Sequence, residues 1–225
     1  MIRAILFDAY GTLFDVHSVG LMAEQLFHGK GTELSQLWRA KQIEYTHLRT
    51  LSGRYKGFWE ITRDALRFSI VRLGLEPDAD RIERLMSQYA CLSAFPENLA
   101  ALRELKALGM PLGILSNGTP EMLDIAVKSA GMAGIFDHVL SVDGVRQYKT
   151  AAAAYQVGID AFGIPARDIL FVSSNSWDAV GATWFGYTTY WINRTGQPAE
   201  QLDIQATATG RLLTDVIAYA KQMLY

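Results

Sequence analysis

Apolar residues along this chain cluster in two styles, and the change of style divides the molecule. Five runs are short, continuous and rich in β-formers: AILF from Ala4, PLGIL from Pro111, HVLSV from His138, ILFV from Ile169 and TTYWI from Thr188. Continuous rather than alternating apolar character predicts strands covered on both faces, as in a parallel sheet. Between the later runs, leucines fall at helical spacing in NLAALRELKAL from Asn98, with Gly109 placed to end that helix. PEMLDIAVKSAG opens with Pro120 at a first-turn position and closes on Gly131, and AAAAYQVGIDAFG and SWDAVGATWFG complete the series. Strand, helix, strand repeated predicts an α/β fold with a doubly wound parallel sheet, Rossmann-like, and right-handed crossovers.

Between Phe14 and Ala94 the rhythm breaks. No strand pattern occurs there; ELSQLWRAKQIEYTHLR, FWEITRDALRFSIVRLG and RIERLMSQYACL read instead as amphipathic helices. The expected organisation is a core of residues 1–14 and 95–225 with a helical cap, residues 15–94, inserted after the first strand. A cap there would cover the C-terminal edge of the sheet, where open α/β sheets bind their ligands.

Polar residues gather at the ends of the apolar runs. Asp8, Tyr10 and Thr12 follow the first, Ser116, Asn117 and Thr119 the second, and Ser173, Ser174, Asn175 and Asp178 the fourth, while Lys149 lies in the loop after the third. A doubly wound sheet brings these points to one crevice. A lone aspartate at a strand end reads as a turn acid; four converging clusters read as a site. A carboxylate is a weak nucleophile unless it is desolvated, oriented and kept ionised. A neighbouring lysine favours its charged form, donors fix its angle, and a second carboxylate can activate water.

Composition narrows the choice. The chain has 225 residues, 50% of them hydrophobic, and a formal net charge of −2 with no basic tract, which gives no footprint for nucleic acid or an anionic membrane. No apolar run is long enough to span a bilayer, and the first one stops at Asp8, short of a signal-peptide core. One cysteine, Cys91, excludes an internal disulfide and a cysteine metal cluster, and reads as a small residue on a helix face. His17, His28, His47 and His138 fall in none of the clusters, and no GxGxxG follows a strand, so dinucleotide binding is unsupported. A cytoplasmic enzyme or binding protein is the expectation.

DAYGTLFD, LSNGT, Lys149 and SSNSWD together resemble the four motifs of the haloacid dehalogenase-like hydrolases, over essentially the whole chain. Most members are phosphatases with the pattern Asp-x-Asp, a second acid that protonates the leaving group, and Mg²⁺. Here Tyr10 stands in place of that second acid, and Ser174 stands where phosphatases carry an aspartate. Mg²⁺ usually takes more than one protein carboxylate, so a serine there weakens the site. A halide leaving group needs neither a proton nor a metal.

The pairing of DAYGTLFD with SSNxWD is similar to the L-2-haloacid dehalogenase branch. That resemblance implies that Asp8 attacks C2 of an (S)-2-haloalkanoate and expels halide. Water activated by Asp178 then attacks the carbonyl of the Asp8 ester, giving the (R)-2-hydroxyacid with inversion and without a cofactor or metal. It implies further that Lys149 and Ser173 hold Asp8, Asn175 and Asp178 position the water, and Thr12 supports the nucleophile loop. Ser116 would bind the substrate carboxylate, Arg39 and Asn117 the halide, and Phe58 and Trp177 would wall the pocket. Tyr155 would stand beside Lys149 and, with Tyr10, complete the substrate-binding set. Related dehalogenases are commonly dimers, which implies a homodimer. Thr150 replaces the proline that usually follows the motif lysine; threonine can N-cap the next helix, which would preserve the turn. The alternative within the family is a phosphatase with a weakened metal site. An aspartyl-phosphate receiver also sets Asp, Thr or Ser and Lys at strand ends, but on a middle strand and without a helical insertion.

Overall fold

The computed structural model describes residues 1–223. Each of the five apolar runs forms a strand: β1 (Ala4–Phe7), β2 (Leu112–Ser116), β3 (His138–Ser141), β4 (Ile169–Ser173) and β5 (Thr188–Ile192). A sixth, β6 (Ala208–Gly210), was not expected, because Ala-Thr-Gly has no apolar run to announce it. The sheet order is β3-β2-β1-β4-β5-β6, with every pairing parallel. Connections run one way from β1 and the other way from β4, so the switch point lies between these two central strands.

β1, β2 and β4 are buried along their whole length, as continuous apolar runs predict. β3 corrects that expectation: it is an edge strand, and Val139 is 45% exposed. Its apolar character therefore covers one face and one neighbour only. The expected core helices form as α5 (Asn98–Ala107), α6 (Pro120–Ser129), α7 (Ala152–Phe162) and α8 (Ser176–Phe185). Thr119 caps α6 through its side chain. The helix α9 (Leu213–Met223) closes the described chain.

Four helices follow β1 before the next strand's helix α5, as the amphipathic patterns predict: α1 (Gly20–Leu26), α2 (Gly31–Leu51), α3 (Phe58–Arg72) and α4 (Ala79–Ala90). The outgoing and returning chains are tied where the helical segment joins the core. Phe14 bridges antiparallel to Ala94, and Asp15 N–H donates to Ser93 O at 2.8 Å. Buried Asn98 donates to the carbonyls of Thr12 and Leu13 at 3.1 and 3.0 Å, fixing the same junction from α5. Polar side chains stitch α2 to α3: Trp38 Nε1 donates to Thr62 O at 2.7 Å, and Gln42 Nε2 donates to Thr62 Oγ1 at 2.6 Å. Cys91 is an exposed residue just past the end of α4, not on the helix face expected for it.

Candidate active site

Asp8 leaves β1 at the switch point, with its backbone N–H on Val172 O of β4 at 2.9 Å. The turn that follows needs Gly11, at φ +96°, where a Cβ would stand 3.4 Å from the Asn175 side chain. That turn returns Thr12 to the carboxylate. Asp8 Oδ2 accepts from Thr12 Oγ1 at 2.9 Å and Asn175 Nδ2 at 2.8 Å, with Ser173 Oγ more distant at 3.4 Å. Asp8 Oδ1 accepts from Lys149 Nζ at 3.0 Å alone. One oxygen is thus crowded with donors and the other has a lone pair to spare.

Lys149 is the hub. Its ammonium stands 3.0 Å from Asp8 and 3.0 Å from Asp178, over the ring of Phe171 at 4.9 Å. Exposures of 6%, 1% and 0% for Asp8, Lys149 and Asp178 place the three charges out of water. Burial opposes the charge on Lys149, but Asp178 and Asp8 outweigh it and hold the ammonium above the usual lysine range. Burial pushes Asp178 up to about 6, and the charge of Asp8 adds to the rise while Lys149 and the Tyr155 hydroxyl work against it. A carboxylate tuned towards neutrality suits a base that takes a proton from water.

Seven expected residues therefore share one volume: Asp8, Thr12, Lys149, Ser173, Asn175, Asp178 and, from the helical segment, Arg39. Arg39 reaches across from α2 to donate to Tyr10 O at 3.0 Å and Asn175 Oδ1 at 3.3 Å, with Gln42 Oε1 at 2.8 Å behind it. Phe58 begins α3, buried against Tyr10 at 5.7 Å between ring centres. Trp177 lies in the first turn of α8 and meets His47 edge-on at 5.4 Å.

The remaining expected residues meet the site through other contacts. Tyr155 is fully buried beside Asp178, its hydroxyl donating to Oδ1 at 2.8 Å, and so it reaches Lys149 only through that carboxylate. Ser116 Oγ accepts from Gly118 N–H at 3.1 Å and Asn117 Oδ1 from Lys149 N–H at 3.1 Å; both side chains brace the loops beside Asp8. Tyr10 contributes its carbonyl to the site, while its ring stacks on Tyr89 at 5.7 Å and 12°. The phenol is buried without a partner, and burial holds its pKa well above the ordinary value. Ser174 binds Thr12 Oγ1 through its backbone N–H at 2.7 Å. Thr150 does not cap α7; Ala151 occupies that position, and the Thr150 methyl is turned against Gly181 of α8.

Three residues were missed. Gln42 lies one turn beyond Arg39 on α2, a spacing that could have flagged it. Tyr89 and Tyr148 carry no motif, and only tertiary packing brings their rings to Tyr10 and Phe58. Among the described residues, no group of three or more His, Cys, Asp or Glu side chains is arranged to hold a metal ion.

Comparison with known proteins places this geometry. A family profile described as haloacid dehalogenase-like hydrolase matches residues 2–186. The (S)-2-haloacid dehalogenase of Pseudomonas sp. (strain YL) is 50% identical over 201 residues, covering 89% of this chain and 87% of that protein. The crystal structure of the L-2-haloacid dehalogenase RSc1362 is 60% identical, with a TM-score of 0.96, and covers 98% of this chain and 99% of its own. The L-2-haloacid dehalogenase from Xanthobacter autotrophicus with chloropropionic acid covalently bound is 35% identical, with a TM-score of 0.94, over 99% of this chain and 100% of that one.

Proposed function

The chain belongs to the haloacid dehalogenase-like hydrolase family, and on that premise we propose that it hydrolyses (S)-2-haloacids to (R)-2-hydroxyacids without a cofactor. Asp8 attacks C2 opposite the halogen, its oxygen–carbon bond forms as the carbon–halogen bond breaks, and halide leaves with the electron pair. Water then attacks the carbonyl of the Asp8 ester as Asp178 takes its proton; Asp178 returns that proton to the departing C2 oxygen, the hydroxyacid leaves and Asp8 is restored. Configuration at C2 inverts once, because the second step never touches C2.

The observation that carries this reading is the treatment of residue 10. Asp8 is held by side-chain donors on both oxygens, yet the next polar side chain, Tyr10, stacks on Tyr89 and makes no hydrogen bond. No second carboxylate beside Asp8 stands ready to protonate a group leaving in the first step, and halide requires none. Arg39 is the cation for the departing anion, worth more as charge develops than in the ground state. Phe58 and Trp177 supply apolar walls, and backbone N–H groups near Ser116 receive the substrate carboxylate.

Chloride release from each enantiomer of 2-chloropropionate, with chiral analysis of the lactate, is the test. The (S) enantiomer should give (R)-lactate at a rate unchanged by EDTA, and the (R) enantiomer should be turned over far more slowly. Mg²⁺-dependent hydrolysis of p-nitrophenyl phosphate without chloride release would replace this reading by the phosphatase one.

Residues 15–94 act in this proposal as a cap that excludes water from the first step. Exposed Leu48, Leu51, Phe68 and Val71 on α2 and α3 give an apolar surface for a second copy, so we place a homodimer there, measurable by analytical ultracentrifugation. No described helix is long and apolar enough to cross a membrane; a cytoplasmic location, testable by fractionation, completes the proposal.

A further inference from the structure

Where the helical segment and the core meet beside Lys149, a set of contacts has no part in the chemistry above. The link between α2 and α3 carries Tyr55 and Lys56; the core loop between β3 and α7 carries Asp143, Tyr148 and Lys149. The Tyr55 hydroxyl donates to Asp143, and its ring lies between the Arg146 guanidinium, 4.9 Å away, and the Tyr148 ring, 5.3 Å away at 24°. Tyr148 is fully buried and is gripped twice more from the helical segment: its hydroxyl donates to Lys56 O at 2.5 Å, and its backbone N–H donates to Thr50 Oγ1 at 3.1 Å. The core end is anchored in turn, since Asp143 N–H donates to Ser141 Oγ at 3.1 Å and that hydroxyl donates to Gly118 O at 2.6 Å.

The next residue is Lys149. Its own N–H is held by Asn117 Oδ1 of the core, whereas the preceding N–H is held by Thr50 of the helical segment. A lysine side chain has four rotatable bonds, so Nζ is placed at 3.0 Å from two carboxylates only if the backbone is pinned. Pinning from both sides makes the placement of the ammonium depend on the docking of the helical segment. Burial and the bond to Asp143 push the Tyr55 phenol up to about 12, so it remains the donor across the neutral range.

We propose that Tyr55, Asp143 and Thr50 are positioning residues for the reaction: the clasp they form through Tyr148 sets Lys149 Nζ between Asp8 and Asp178. The inference rests on the dehalogenase reading for its kinetics but not for its geometry, and the test separates the two. Steady-state kinetics on (S)-2-chloropropionate should show kcat lowered about tenfold in Tyr55→Phe, Asp143→Ala and Thr50→Val, with KM within about twofold, because a misplacement of under 1 Å acts on the reacting geometry. Asp143→Asn keeps an acceptor oxygen and should recover most of the loss. Tyr55→Phe combined with Asp143→Ala should be no worse than either alone, as two ends of one contact. An unchanged kcat in the single variants, or an equal loss in Asp143→Asn, overturns the clasp.

A second readout needs no turnover. Proton exchange at the Lys149 ammonium, followed by ¹⁵Nζ NMR on lysine-labelled protein, should be slow in the unaltered chain and faster in Tyr55→Phe. Equal exchange in both overturns the clasp whatever the substrate is, whereas absence of chloride release from the unaltered chain, with faster exchange in the variant, overturns only the substrate assignment.

Discussion

The sheet edge and the helical segment over it are built on opposite plans. At the edge, polar groups answer one another: Asp8, Lys149, Asp178, Asn175 and Thr12 form a closed network of hydrogen bonds on loops leaving β1, β3 and β4. The helical segment contributes the cation Arg39, backed by Gln42, and a set of rings: Phe58 on Tyr10, Tyr89 on Tyr10, Trp38 on Tyr89. One side holds charges that must stay fixed; in the proposed reaction the other would offer apolar surface to a small substrate and a partner to the anion it releases. Charges buried together are costly unless fully paired, which is why the edge tolerates little change and the aromatic side should tolerate more.

Substitutions can test that contrast from its strongest point downward. Asp8→Asn should abolish halide release, a loss of about 10⁴-fold or more for a nucleophile that forms the covalent intermediate. Asp178→Asn should slow steady-state turnover by about 10³-fold through loss of the general base, while leaving the first step able to run. Intact-protein mass spectrometry should then find the substrate residue attached to Asp8. From the other side of the crevice, Arg39→Gln should cost about 10²-fold in kcat, measured with chloride and bromide substrates in parallel.

Much of the edge could be read from residues alone, because each part of it announces itself locally. Asp8 interrupts an apolar run, Gly11 follows within a turn, and Ser173 and Asn175 stand at the end of another run. A parallel sheet brings such points together without further information. The helical segment could be read as helices but not as a site. Amphipathic spacing marks a buried face without naming what it meets, so Tyr89 against Tyr10 and Tyr148 against Tyr55 were invisible. Tyr155, expected behind Lys149, reaches it through the carboxylate of Asp178, a link that its place in the Ala-rich helix α7 does not announce. The strand β6 was missed because three residues of Ala, Thr and Gly pair through their backbone and carry no apolar signature.

The smallest expected effect concerns Tyr155. With burial raising Asp178 to about 6, kcat should fall as pH drops through that region where ester hydrolysis limits turnover, since the base must be ionised to accept the proton of water. The Tyr155 hydroxyl donates to the ionised carboxylate and holds that value down. Tyr155→Phe should therefore move the acid limb to higher pH and lower the rate at neutral pH by only about threefold. A limb moved to lower pH, or unmoved, would show that the hydroxyl does not act on the base.

The account stands most directly on the ester formed at Asp8. A single turnover of (S)-2-chloropropionate in ¹⁸O-water, with enzyme in excess, reads which oxygen reaches the product. Asp8 donates its own oxygen to C2 and recovers one from water, so the lactate should carry unlabelled oxygen at C2 and the label should be found in the Asp8 peptide. Label at C2 of lactate, with none in Asp8, would mean that water attacks carbon directly and would contradict the account.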